Sequence, residues 1–161
     1  MNIMVDQPWM KLEQDNNGEA YVAMKDDAVM IIAMTINHEI LFIEEKSIAY
    51  QIPALTLPTG GVERNELPEI TAERELQEEV GYRAETLTYI GTLHPSIKYM
   101  QWQCHIYVAN NLIHSERDGD ETTPVTVRPI ALEDIDKAII SKQITDSTTI
   151  AAIYLARQYI S

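Results

Sequence analysis

The chain has little of what several classes of protein need. It holds one cysteine, Cys104, in 161 residues, so no disulfide can close within it, which fits a reducing compartment. Bases are scarce: 12 Lys+Arg stand against 25 Asp+Glu, a formal net charge of −13 at pH 7 with histidines neutral. That balance excludes a protein whose main work is gripping nucleic-acid phosphates or an anionic membrane. A small phosphate-bearing substrate stays open, because a bound divalent cation reverses the local sign. Long apolar runs are missing too. The longest, Ala28 to Met34, is far below the roughly 20 residues of a membrane-crossing helix. The first ten residues, MNIMVDQPWM, lack a basic stretch followed by an apolar one, so no secretory signal is expected. A cytoplasmic protein is the expectation.

What is present suffices for a core. The hydrophobic content is 45%, ordinary for a globular chain, and the length suits one domain. Residues 1–27 are polar and weakly patterned, an N-terminal extension with one or two short edge strands near Trp9–Leu12 and Ala20–Met24 around an Asn16-Asn17-Gly18 turn. Residues 28–161 form the main domain. Ala28–Thr35 and Ile40–Ile43 read as buried strands of a hairpin turning at Asn37-His38. Pro53 and Pro58 bracket an extended segment, and Gly60-Gly61 reads as a loop. Pro68–Val80 is predicted helical, with Ala72, Leu76 and Val80 on one stripe and Gly81 as its stop. Strands are expected over Thr86–Leu93, Cys104–Ala109 and Val125–Leu132. Two helices follow, Leu132–Ile140 and Ser147–Ile160, the second capped by Asp146 or Ser147, with Ile150, Ile153 and Tyr154 facing inward. Strands mixed with few helices mean an α/β or α+β domain.

The chemistry-bearing stretch is GGVERNELPEITAERELQEEVGY, residues 60–82. On the predicted helix, Glu75, Glu78 and Glu79 share a face apart from the apolar stripe. Three adjacent carboxylates repel unless something positive lies among them. Arg74, four residues before Glu78, offsets one, and a hard divalent cation such as Mg²⁺ would offset the rest. Gly60 and Gly61 let the backbone come close to an ion or ligand, and Glu63 and Glu66 add carboxylates near the same end.

This spacing, Gly60-x5-Glu66-x7-Arg74-Glu75-Leu76-x-Glu78-Glu79-x-Gly81-Tyr82, resembles a complete Nudix box, the signature of the Nudix hydrolase family. The likeness extends from about residue 28 to 160. It implies a Nudix-type α/β/α sandwich around a mixed sheet, and hydrolysis of a nucleoside diphosphate linked to another moiety. By position it implies Glu75 and Glu79 as main metal ligands, Glu78 close by, and the Thr59 carbonyl as a backbone ligand. Arg74 would orient the glutamates, and Glu66 would support the loop. The family binds Mg²⁺ or Mn²⁺, which place the pyrophosphate and activate a water for in-line attack on phosphorus.

Residues 58–66 are similar to a stretch of the ADP-ribose and ADP-sugar pyrophosphatases, which implies Glu63 as a further metal-side carboxylate. That subgroup departs from this chain at Glu44-Glu45, Thr56 and Asn65. It takes a base from a late acidic loop, where Glu116, Asp118, Asp120 and Glu121 are candidates and Glu121 is favoured. Substrate contacts are expected from Lys46, Gly60, Gly61, Tyr99 and Trp102. The subgroup also implies a homodimer. Alternatives are a dinucleoside polyphosphate or (d)NTP pyrophosphohydrolase, and a nucleotide-sensing module without turnover.

Other residues read as structural. His38, His94, His105 and His114 show no zinc spacing, and Cys104 and His105 point to opposite strand faces. The surplus acidity is concentrated. Residues 60–82 hold seven acids and two bases, and residues 114–124 hold four acids and one base.

Overall fold

The computed structural model describes residues 2–119 and 125–160. The chain runs through β1 (Asn2–Asp6), β2 (Met10–Gln14), β3 (Ala20–Met24), β4 (Ala28–Met34), β5 (Glu39–Lys46), β6 (Pro53–Thr56) and β7 (Thr59–Gly61). Helix α1 (Pro68–Val80) follows, then β8 (Tyr82–Leu93), β9 (Met100–Gln101), β10 (Cys104–His114) and β11 (Thr126–Ala131). A 3-10 turn (Leu132–Asp134), α2 (Ile135–Ile140) and α3 (Ser147–Ala156) complete it.

The main sheet has strand order β11-β5-β4-β10-β8, with β6 on β5 and β7 on β4. It is mixed: β4 and β10 run parallel, and β10 pairs antiparallel with β8. Strand β4 is buried at every position, as a central strand covered on both faces should be. Alternation along it separates two cores. Met30, Ile32 and Met34 join Phe42, Ile106, Ala152 and Ile153 beneath α2 and α3. Val29, Ile31 and Ala33 join Leu41, Tyr107, Ala72, Leu76 and Val80 beneath α1. The result is an α/β/α sandwich. Leu76 is fully buried, and truncating such a leucine costs about 2–5 kcal/mol.

Strands β4 and β5 pair only at Ala33↔Leu41 and Met34↔Ile40 and then diverge. Strands β6 and β7 fill the opening, β6 along Ile43–Lys46 of β5 and β7 along Ala28–Met30 of β4. This arrangement brings the glycine pair to the foot of α1.

Several local expectations are corrected. Gly60 and Gly61 lie in a short strand rather than a loop, because their backbone completes the ladder on β4. The N-terminal segment forms three strands, which with β9 make a second, four-stranded sheet. Helix α3 stops at Ala156. Tyr154 points outward, 72% exposed, while Ile153 is buried. The cap of α3 is Asp146, whose side chain accepts the Thr149 N–H at 2.7 Å.

Candidate active site

Helix α1 begins at Pro68, where a missing N–H costs nothing, and ends at Gly81 in the left-handed conformation with φ 78°. Its start is braced from outside. Thr71, fully buried, donates its hydroxyl to Glu66 Oε2 at 2.8 Å, which sets a carboxylate near the positive end of the helix.

The register of β7 decides what α1 meets. The N–H of Val62 donates to the Asp27 carbonyl at 2.8 Å, and that of Ile31 to the Pro58 carbonyl at 2.9 Å. Thr59 and Gly61 therefore occupy the non-hydrogen-bonded positions opposite Met30 and Ala28, and their N–H and C=O groups turn away from β4. They find α1 instead. The Thr59 N–H donates to Glu79 Oε2 at 2.8 Å, and its carbonyl turns to the same side. The Gly61 carbonyl accepts from Arg74 at 3.3 Å. Between them lies Gly60, where a Cβ would fall inside the van der Waals envelope of Glu75 Cγ, Cδ and Oε1. No other residue type leaves that carboxylate where it is.

Arg74 ties the glutamates together. Its guanidinium reaches Glu75 Oε1 at 2.6 Å, Glu78 Oε2 at 3.0 Å and Glu66 Oε2 at 3.3 Å. One arginine thus serves three carboxylates, where the spacing alone assigned it Glu78. Burial opposes its charge, but Glu66, Glu75 and Glu78 outweigh this and hold the guanidinium firmly protonated. Glu66 is also buried in part, which resists ionisation. The hydrogen bonds from Arg74 and Thr71 prevail, so its carboxyl sits below the usual glutamate range. Glu75 and Glu79 are themselves buried, each 6% exposed, not displayed on a solvated face. They turn inward because β7 offers them a backbone amide and an empty glycine position.

The donor set suits a hard cation. Glu75, Glu79 and the Thr59 carbonyl are all oxygen donors, and the space that a side chain at residue 60 would take holds the Glu75 carboxylate. Among the described residues no three His, Cys, Asp or Glu side chains converge as a ready metal cage. The cation lying among the glutamates is Arg74.

Other sequence-predicted residues are spread more widely. Glu63 is exposed on the connection between β7 and α1, and its N–H donates to Glu66 Oε2 at 3.4 Å. Lys46 is exposed at the end of β5, opposite Pro53. Tyr99 flanks the small sheet, beneath Lys98 and with its carbonyl on Val22. Trp102 packs into the core under α2 and α3, across the sheet from the α1 carboxylates. Glu116 and Asp118 border a cleft with Glu78 and Glu79, whereas Asp120 and Glu121 fall outside the described residues. Sequence reading missed Thr149, fully buried, whose hydroxyl accepts the Leu57 N–H at 3.4 Å and ties α3 to the approach of β7. A threonine in the first turn of an amphipathic helix carries no signal of that contact.

Comparison with known proteins points to one family. A family model described as "NUDIX domain" matches residues 24–147. An ADP-ribose pyrophosphatase of Bacillus subtilis (strain 168) is 33% identical over 78% of this chain and 69% of its own. A methanol dehydrogenase activator of Bacillus methanolicus is 29% identical over 92% of this chain and 82% of its own. A crystal structure of an ADP compounds hydrolase superposes with TM-score 0.85, covering 99% of this chain and 90% of that one at 23% identity.

Proposed function

The chain belongs to the Nudix family and is a Nudix hydrolase, and on that premise we propose that it cleaves the diphosphate of ADP-ribose or a similar nucleoside diphosphate derivative. Two monophosphates would result: a water oxygen bonds to one phosphorus, the bridging P–O bond breaks, and the departing oxygen leaves with the other phosphate. The observation that carries this reading is the seating of Glu79 and Glu75 on Thr59 and Gly60 of β7. The identity of the B. subtilis relative favours an ADP-ribose-like substrate.

Glu75, Glu79 and the Thr59 carbonyl would hold Mg²⁺ or Mn²⁺, with Glu63 and Glu78 as nearby carboxylates. When bound, such ions neutralise charge on the diphosphate and lower the pKa of a coordinated water. The chain's own groups do the rest. Arg74 keeps the glutamates from repelling one another and fixes their orientation. The Thr59 N–H holds Glu79 through a charge-assisted bond. A carboxylate from residues 116–121, with Glu121 still the favoured one, would take the proton of the attacking water. Lys46, Gly60, Gly61 and Tyr99 remain the proposed substrate contacts. A homodimer is part of the same proposal. Ile3, Met4 and Trp9 of the N-terminal segment are at least half exposed, a surface on which a second copy would pack.

The test is a nucleotide panel assayed with Mg²⁺ and with Mn²⁺. AMP release from ADP-ribose by the wild type, abolished in Glu79→Gln with the fold intact, is the expected result. Activity confined to nucleoside triphosphates or dinucleoside polyphosphates would sink the ADP-ribose reading.

A further inference from the structure

The segment after β10 is bound to the end of α1. The Ser115 N–H donates to the Gly81 carbonyl at 2.8 Å and the Arg117 N–H to the Gln77 carbonyl at 3.4 Å. These carbonyls belong to the last turn of α1 and its cap, and that of Gln77 also accepts the Gly81 N–H at 3.2 Å. Glu116 sits against Gly81, where a Cβ would come within 3.1 Å of its Cγ. The side chain of Arg117 then reaches Glu78, with Nε 3.1 Å from Oε1. The other oxygen of Glu78 takes Arg74 at 3.0 Å. Glu78 is therefore held between two guanidiniums. It is 9% exposed and Arg117 is 55% exposed, so a fixed, sheltered carboxylate anchors a side chain arriving from the solvent side.

Electrostatics explain why the anchor is needed. Glu116, Asp118, Glu78 and Glu79 border one cleft of about 560 Å³ with Val125 and Val127. Like charges across one cleft oppose docking of the segment on the helix unless a base offsets them. Arg117 is the base within residues 114–124, and it is the one that bridges the two sides. The long Arg117–Gln77 backbone contact is weak by itself.

We infer that Arg117 is a positioning residue: its ion pair with Glu78 docks residues 115–118 on the last turn of α1 and sets Asp118 at the cleft that Glu79 lines. Its part in turnover rests on reading that cleft as the hydrolytic centre, while the docking itself does not.

The experiment uses the full chain as wild type, Arg117→Ala and Arg117→Lys. Amide hydrogen exchange without divalent ions is followed on a peptide covering residues 115–119, with urea unfolding as a control for global stability. Exchange there should quicken roughly tenfold in Arg117→Ala at unchanged global stability, and Arg117→Lys should recover most of the protection. With ADP-ribose and Mg²⁺ or Mn²⁺, Arg117→Ala should lose about tenfold in kcat with KM within about twofold, as misplacement of a group near the chemistry does. Unchanged exchange in Arg117→Ala overturns the docking. Faster exchange with wild-type kcat overturns the positioning role. A wild type inactive on ADP-ribose overturns the substrate reading, and the metal-free exchange then still decides whether Arg117 docks the segment.

Discussion

Glu79 Oε2 accepts the backbone N–H of Thr59 at 2.8 Å, joining residues twenty apart in sequence. The bond exists because Thr59 faces away from β4 in the ladder, so its amide would otherwise lack a partner. Strand and helix hold each other, and the buried carboxylates of α1 inherit their orientation from the register of β7.

That seating makes Gly60 the most sensitive small residue of the site. Gly60→Ala should displace the Glu75 carboxylate and break its pairing with Arg74. We expect turnover to fall about 100-fold while far-ultraviolet circular dichroism stays that of the wild type. Near-normal kcat would show that Glu75 relaxes without consequence.

Divalent cations should stabilise the fold through the same carboxylates. Adding Mg²⁺ or Mn²⁺ at about 100 times Kd contributes about 2.7 kcal/mol, readable as a raised Tm. Glu75→Gln and Glu79→Gln should each lose most of that increment, whatever the substrate. A full increment in both variants would place the ion elsewhere.

Glu66 should link stability to pH. Its folded-state pKa is depressed, since the hydrogen bonds from Arg74 and Thr71 overcome the opposition of burial. The stabilisation is therefore fully present above the unfolded value of about 4.3 and is lost as pH falls through the lower folded value. Glu66→Gln should cost about 1–3 kcal/mol at pH 7. Urea unfolding at intervals below pH 5 should show the gap from wild type closing. A gap independent of pH would assign it to packing.

Cys104 should be silent toward thiol reagents in the native state. It is fully buried, and burial, with smaller contributions from Asp146 and Asp27, pushes its thiol up to about 12. A disulfide reagent at pH 8 should label it only after denaturant is added. Fast native labelling would mean that β10 opens locally.

The extent of α1, its Ala72/Leu76/Val80 stripe and its stop at Gly81 follow from the order of residues, because helical period, a first-turn proline and a left-handed glycine are local matters. The alternating faces of β4 are legible for the same reason. The Nudix box is legible too, since its residue types sit at set intervals along one short stretch. The end of α3, the outward turn of Tyr154 and the contact of Thr149 with Leu57 were not, since each depends on what lies across the sheet.

The sequence by itself thus determined an acidic protein of the Nudix family, with carboxylates concentrated in residues 60–82 and 114–124. Tertiary structure decided which way those carboxylates point. Glu75 and Glu79 turn in because β7 presents an unused amide and a residue without a side chain, and Glu78 is shared between Arg74 and Arg117 because the segment after β10 folds back on α1. Spacing along a helix sets which groups share a face, but their partners come from strands and loops brought in by long-range pairing.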